Sequence, residues 1–311
     1  MKNQISTKER SFFIKQSAHN LGFSSCGFTK AEFLEKEALE LEAWLNKGQQ
    51  GQMNYMANHF DLRTDPSKLV PDAKSVISLA YNYHNSDTNI NKEDHKISQY
   101  AFGRDYHKVV KKKLKMLLQL IQEKFGAVAG RCFVDSAPVM ERDLAKRAGL
   151  GWMGKNTLLI HPKMGSYFFL AEIILDLELS YDQSIKDYCG TCTKCIEACP
   201  TDAISDKGYQ LDASKCISYA TIELKEQIPE TFKGKMDDWI FGCDICQEVC
   251  PWNKFAKRHS EPEFNPSDQL KKMNKRDWEE LSLEAFNEIF EGSPIKRTKY
   301  EGLKRNIDFL D

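Results

Sequence analysis

Apolar residues in the first half of the chain recur in short runs that change period from element to element. Residues 8–21 predict a helix with Gly22 as its C-cap. Residues 23–29 read as a short strand, and 31–47 return to helix, stopped by Gly48. Residues 75–83 are β-branched and aromatic, which is a strand signature. The polar, Asn/Asp-rich stretch 84–96 predicts a surface loop. Asp105 then caps a long helix closed by Gly126. Val110, Leu114, Leu117, Leu118, Ile121 and Phe125 give it one apolar face, while Lys108, Lys111, Lys112, Lys113 and Lys115 crowd the rest.

Residues 127–134 predict a strand ending at Asp135. Pro138 opens a short helix that runs to Arg147 and stops at Gly149. Residues 157–161 and 166–175 predict a strand pair joined by the turn 162–165. Strands alternating with helices place an α/β (α+β) domain over residues 1–178. Polar residues 178–187 and the two-proline stretch 259–268 read as linkers, and the chain closes in a basic, partly helical tail. No solenoid repeat is present.

Composition narrows the class. The chain has 311 residues, 44 basic against 45 acidic side chains, and 41% hydrophobic residues. That content fills a core and excludes wholesale disorder. The best apolar run, Phe168–Leu175, is interrupted by Glu172 and falls far short of the ~20 residues a membrane helix needs. Residues 1–10 are polar, without a signal-peptide core. A cytoplasmic protein is therefore expected. In that reducing compartment its ten cysteines read as metal ligands or catalysts rather than disulfides.

The cysteines are concentrated. Cys26 and Cys132 stand alone and read as core thiols; the other eight fall between residues 189 and 250. Cys189-x2-Cys192-x2-Cys195-x3-Cys199-Pro200 is a bacterial ferredoxin run. Cys243-x2-Cys246-x3-Cys250-Pro251 is a second run lacking its leading cysteine, which leaves Cys216 to supply it. In such ferredoxins the last cysteine of a run binds the other cluster. This assigns Cys189, Cys192, Cys195 and Cys250 to one [4Fe-4S] cluster, and Cys199, Cys216, Cys243 and Cys246 to a second. Structural zinc is the alternative, but zinc sites have no need of three close thiolates and a crossed Cys-Pro, twice over. The expected organisation is a catalytic domain over 1–178, a two-cluster module over 179–258 and a basic tail over 259–311.

Three further motifs need weighing. Gly149-x-Gly151-x-x-Gly154 follows a helix and leads into a strand, the wrong context for a dinucleotide turn. Its glycines serve either loop geometry or the close approach of a flat cofactor. Asp105-Tyr106-His107 begins a cobalamin-type Asp-x-His-x-x-Gly motif, but residue 110 is Val, so His107 reads as a helix-surface residue. Asp135 sits at a strand end, where ligands gather in such domains, and is either catalytic or a helix cap. An exposed Asp, with a pKa of ~3.9, is a poor donor at neutral pH; burial beside a cofactor would raise it.

The blocks Val134-Asp-Ser-Ala-Pro-Val-Met-Glu-Arg142, Ala148-Gly-Leu-Gly-Trp-Met-Gly-Lys-Asn156 and Gly165-Ser-Tyr-Phe-Phe-Leu-Ala-Glu172, with Ile97-Ser-Gln-Tyr-Ala-Phe-Gly-Arg-Asp-Tyr-His107 and both cysteine runs, resemble the epoxyqueuosine reductase family over about residues 10–255. The resemblance implies a nitroreductase-like cobalamin domain followed by a bacterial-type two-cluster ferredoxin module. It implies reduction of epoxyqueuosine to queuosine at the tRNA wobble position, the final step of queuosine biosynthesis, with cobalamin and two [4Fe-4S] clusters. It makes Asp135 the proton donor and places Arg63, Ser98, Lys155, Asn156, Ser166 and Asp244 near the corrinoid. Related sequences often carry Arg where this chain has Gln99, and the family holds cobalt without a protein histidine. A monomer supplied by a flavodoxin- or ferredoxin-type donor is expected. A corrinoid iron–sulfur reductase of a small molecule, related to reductive dehalogenases, is the alternative enzyme; a plain electron-transfer ferredoxin is the alternative class.

For a tRNA partner, charge pattern matters more than the net of −1. Lys254, Lys257 and Arg258, then Lys271, Lys272, Lys275 and Arg276, then Lys296, Arg297, Lys299, Lys304 and Arg305 make the C-terminal stretch basic. This stretch is expected to track phosphates.

Overall fold

The computed structural model describes residues 5–86 and 95–310. Within the predicted loop 84–96, residues 87–94 lie outside the described residues. Helix α1 (Thr7–Asn20) starts at a capping box: the Ser6 hydroxyl accepts from Glu9 N–H, and the Glu9 carboxylate accepts from Ser6 N–H at 2.8 Å. Strand β1 (Ser25–Lys30) follows. Helix α2 (Glu35–Asn46) begins later than the apolar period suggests, with the fully buried Leu34 as its N-cap in a non-helical conformation. A short α3 (Phe60–Thr64) leads to β2 (Ser75–Asn82), β3 (Lys96–Ile97) and the long α4 (Tyr106–Phe125), whose N-cap is Asp105 as expected. Then come β4 (Gly130–Phe133), α5 (Glu141–Arg147), β5 (Trp152–Met153), β6 (Leu159–Ile160) and β7 (Phe168–Leu175).

The main sheet has the order β1-β2-β7-β4, and every pairing in it is antiparallel. Side chains alternate between its faces. Ile77, Leu79, Tyr81, Phe169, Ala171 and Ile173 pack in a core shared with Ile14 of α1 and with Val110, Leu114 and Leu117 of α4. Val76 and Ile174 point the other way, toward Leu144 of α5, as do Ala80 and Phe168 toward Ala145. Two sequence expectations change here. Residues 157–161 do not pair with 166–175: β6 pairs with β5, and a single bridge joins His161 to Gly165. Strand β7 already has β2 on one side and β4 on the other, so neither edge is free. Pro138 lies in a turn, and the helix begins at Glu141.

The polar stretches read as linkers are straps. The Asp182 carboxylate accepts from Phe28 N–H at 3.0 Å and pairs with Lys15 at 2.7 Å, which ties 178–187 to β1. Glu261 accepts from the Tyr81 hydroxyl at 2.6 Å and pairs with Lys113 at 3.2 Å, while Phe264 is buried in the sheet core.

The second half contributes α6 (Lys194–Glu197), β8 (Trp239–Phe241), which runs parallel to β3, and α7 (Ile245–Glu248). Helices α8 (Asp268–Lys272), α9 (Lys275–Glu279), α10 (Leu283–Ile289) and α11 (Lys299–Leu310) complete the chain. Leu270, Trp278, Phe286, Phe290, Leu303 and Ile307 of this tail pack with Ile97, Phe102, Ile240 and Phe241. The tail therefore has a buried apolar face as well as a basic one. Among the described residues no helix is long and apolar enough to cross a membrane.

Helix α5 lies so close to β1 that a Cβ on Gly27 would sit 2.0 Å from the Ala148 carbonyl oxygen. Gly27→Ala is therefore expected to cost on the order of 3 kcal/mol by overpacking. Calorimetry of the variant should show the lowered melting temperature; an unchanged value would mean α5 can retreat freely.

Candidate functional site

A cleft of about 1110 Å³ opens between the start of α4, the turn after β4, and residues 222–223 and 293–297. Asp135 lies on its floor. The end of β4 delivers Asp135 in the left-handed conformation, with φ of 55°. Its backbone N–H donates to Glu141 Oε1 at 2.5 Å. Its carboxylate accepts from the Tyr106 hydroxyl at 2.5 Å and lies 3.1 Å from His107 Nε2. The other ring nitrogen, His107 Nδ1, is 2.8 Å from the Asp105 carboxylate. Tyr106 stacks on Phe169 with ring centroids 4.1 Å apart, which fixes its hydroxyl.

His107 thus bridges two carboxylates, and the helix-surface reading of it is corrected. Both ring nitrogens are engaged, so neither is free for a metal. Burial opposes its charge, but hydrogen bonds and charges from Asp105 and Asp135 outweigh burial and raise the imidazole to about 9. At neutral pH it is the cation of the group. The expectation that Asp135 would be raised is also corrected. Burial pushes its carboxyl up, yet the hydrogen bonds from His107 and Tyr106, with the charges of His107 and Arg297, hold it below the usual carboxylate range. Its side chain is 49% exposed to the cleft, which weakens the influence of burial. In this state Asp135 is a carboxylate with two donors aimed at it.

The wall of the cleft is basic. Lys108, Lys111, Lys112 and Lys115 recur along one face of α4, and Lys296 and Arg297 face them. Among the described residues no carboxylate forms an ion pair with Lys108, Lys111, Lys112 or Lys115. Arg297 pairs with Glu223 at 2.8 Å. Much of the tail's charge, in contrast, is spent locally. Lys271 pairs with Asp268, Lys275 with Glu279, Arg276 with Glu280 and Lys304 with Asp308. Arg305 donates to the carbonyls of Leu224 at 2.8 Å and Ala220 at 2.9 Å, closing the π-helical turn Tyr219–Glu223. Of the basic tail, Lys296 and Arg297 reach the cleft. The α4 stripe was open to detection, because positions 108, 111, 112 and 115 share one helical face. His107 and Tyr106 had no such signal.

Cys189, Cys192, Cys195 and Cys250 line one small cavity with Lys155, Asn156 and Trp252. Cys243 and Cys246 lie near Cys216, and Cys246 lies near both Cys195 and Cys199. Among the described residues no group of three or more His, Cys, Asp or Glu side chains is placed to hold a single metal ion. Trp152 Nε1 donates to Cys189 Sγ at 3.4 Å, and Lys155 Nζ donates to the carbonyls of Gly190 at 2.8 Å and Cys192 at 3.0 Å. Cys26 and Cys132 pack against the sheet core, and burial pushes both thiols up, Cys132 to about 11.

Most of the remaining sequence candidates form a polar seam beside Cys243 and Cys246. Asp244, buried and raised to about 6 by that burial, accepts from Ser98 Oγ at 2.5 Å and from Gln99 N–H at 2.8 Å. Asn156 Nδ2 donates to the Cys246 carbonyl at 3.2 Å, and Gln247 Nε2 donates to Ser166 Oγ at 3.0 Å. Arg63 lies apart from this seam, donating to the Tyr55 carbonyl at 3.1 Å, and its buried Nε has no partner. The three fingerprint glycines approach protein. A Cβ on Gly149 would meet the Gln183 carbonyl, one on Gly151 the Ile160 carbonyl, and one on Gly154 the Ile160 side chain. They serve loop geometry.

Comparison with known proteins agrees with this arrangement. The family described as "4Fe-4S double cluster binding domain" matches residues 188–253, and "Epoxyqueuosine reductase QueG, DUF1730" matches residues 63–136. An epoxyqueuosine reductase of Leadbetterella byssophila is 59% identical over 297 residues, 96% of this chain and 97% of the relative. A crystal structure of epoxyqueuosine reductase with an epoxyqueuosine-modified tRNA-Tyr stem loop superposes with a TM-score of 0.89 at 30% identity, over 96% of this chain and 80% of that one. The Bacillus subtilis enzyme, in a structure with its catalytic aspartate loop swung out of the active site, superposes with a TM-score of 0.88 at 29% identity, over the same shares.

The His107 bridge makes a pH prediction. A histidine raised by folding adds stability in full below its unfolded pKa of ~6.5, and that stability is lost as pH rises through the folded value of about 9. The melting temperature of the native chain should fall from pH ~7 to ~10 more steeply than that of His107→Gln. Parallel curves would show that the bridge holds no charge.

Proposed function

The chain belongs to the epoxyqueuosine reductase family, and from that premise we propose that this oxidoreductase converts epoxyqueuosine to queuosine at the wobble position of tRNA. The observation that carries the proposal is the composite site: a basic cleft lined by Asp135, His107 and Tyr106, in a chain whose Cys189, Cys192, Cys195 and Cys250 share one small cavity. The clean lysine stripe on α4 suits the phosphates of an anticodon stem loop, whose splayed wobble base can enter a pocket. The related structure with a tRNA stem loop supports the same partner.

Removing an epoxide oxygen as water consumes two electrons and two protons. Electrons enter through the iron–sulfur module, with Cys189, Cys192, Cys195 and Cys250 as ligands of one [4Fe-4S] cluster and Cys199, Cys216, Cys243 and Cys246 of the other. A flavodoxin- or ferredoxin-type donor supplies them to a cytoplasmic monomer. Asp135 delivers a proton to the departing oxygen. Substrate entering the cleft displaces water from Asp135, which favours its neutral form. The His107 imidazolium, 3.1 Å away, then supplies the proton, and Asp105 holds the ring in place.

One observation bears on cobalamin. The buried Arg63 Nε has no partner among the described residues, and Lys155 and Asn156 line a second cavity, separate from the cleft. Arg63, Ser98, Lys155, Asn156, Ser166 and Asp244 are the residues that would hold it. When bound, it supplies a strongly reduced metal centre able to pass electrons to carbon.

Asp135→Asn should lower turnover of epoxyqueuosine-tRNA by ~10²–10⁴-fold with iron and corrinoid content unchanged. A fully active variant would remove Asp135 from the reaction. Lys108→Glu with Lys112→Glu should weaken tRNA binding and flatten its salt dependence by ~0.7 in the log–log slope per lost phosphate contact. An unaltered slope would show that the phosphates lie elsewhere.

A further inference from the structure

On the α5 face of the sheet, Glu172 of β7 breaks an otherwise apolar run. Its neighbours on that face include Phe168, Ile174, Val76 and Ala80, with Leu144 and Ala145 of α5 above them. Glu172 is fully buried, and neither carboxyl oxygen accepts a hydrogen bond from a donor group. Its cross-strand partner Ser78 is fully buried too, with an unpartnered hydroxyl. An ionised carboxylate in that setting is strongly disfavoured. The group that does face Glu172 is a second carboxyl, that of Glu141, the first residue of α5, within hydrogen-bonding reach. Glu141 in turn accepts the backbone N–H of Asp135.

We propose that Glu141 and Glu172 share one proton and act together as positioning residues that hold Asp135 in its left-handed turn. A bare pair would carry two like charges behind a third, Asp135. One shared proton removes one of those charges, gives one buried Glu172 oxygen a partner and leaves Glu141 an oxygen for the Asp135 N–H. The left-handed backbone of Asp135 needs such an outside hold, because a non-glycine residue adopts it at a cost. The charged and titratable groups around the pair are consistent with this. Asp135, His107 and Tyr106 face Glu141, and Asp135 lies beyond Glu141 from Glu172. Burial, and then the neighbouring carboxylate, pushes both carboxyls upward. The step involves no redox chemistry: the proton moves only between the two carboxyl groups. The proposal rests on the reading of Asp135 as the reacting acid only for its consequence in turnover.

The test uses the cluster-loaded enzyme and readouts other than activity. Infrared difference spectra between native chain and Glu172→Gln at neutral pH should show loss of a protonated-carboxyl band. Raised carboxyls add stability in full below their unfolded pKa of ~4.3 and lose it as pH rises through the folded value, so the melting temperature of Glu172→Gln should fall less from pH ~5 to ~8. Glu141→Ala should speed amide hydrogen exchange in the peptide 134–140 at least ~tenfold and lower kcat more than KM rises, while Glu141→Gln restores slow exchange. An absent protonated-carboxyl band in the native chain, or exchange unchanged by Glu141→Ala, overturns the proposal. The band also separates this proposal from the catalytic one: an active Asp135→Asn that retains it would defeat the role of Asp135 and leave the proton-sharing pair standing.

Discussion

Strand β7 is held along both edges, by eight residue pairs to β2 and four to β4. That double claim organises the domain. It sets the end of β4 beside the buried middle of β7, so that Phe133 faces Glu172 and the chain turns into the cleft two residues later at Asp135. It also leaves β6 no partner on β7 and sends it to β5 instead. Helix α5 then packs across β1, β2 and β7, admitted by Gly27, and brings Glu141 to the same place. The Asp135 turn is thus a product of sheet order rather than of its own loop sequence.

Charge is distributed so that one basic face is left in the cleft without making the protein basic overall. The formal net charge is −1. Several tail lysines and arginines are neutralised by acids three or four residues away, an arrangement that steadies short helices. Among the described residues the α4 lysines in the cleft form no ion pair, although Asp105 lies three residues before Lys108, so much of their field remains available to an anion. Deeper in, charge is managed in the opposite way. His107 lies between two carboxylates, whereas Glu141 and Glu172 face each other with no cation between them.

The sequence by itself determined what depends on neighbours along the chain. Helix α1 and helix α4 follow from apolar period and capping residues, and the two cysteine runs follow from spacing that leaves little freedom for other chemistry. The core positions of β2 and β7 were legible for the same reason. Tertiary structure decided the rest. It chose the partners of β5 and β6, turned two polar linkers into straps, and gave the tail an apolar face against Phe241. It set His107 against an aspartate 28 positions away and brought the α4 lysines to one cleft with Lys296 and Arg297 of the tail. Such contacts join side chains that share no local period. Their energies exist only once the sheet has brought distant segments within a few ångströms, and no spacing along the chain encodes that distance.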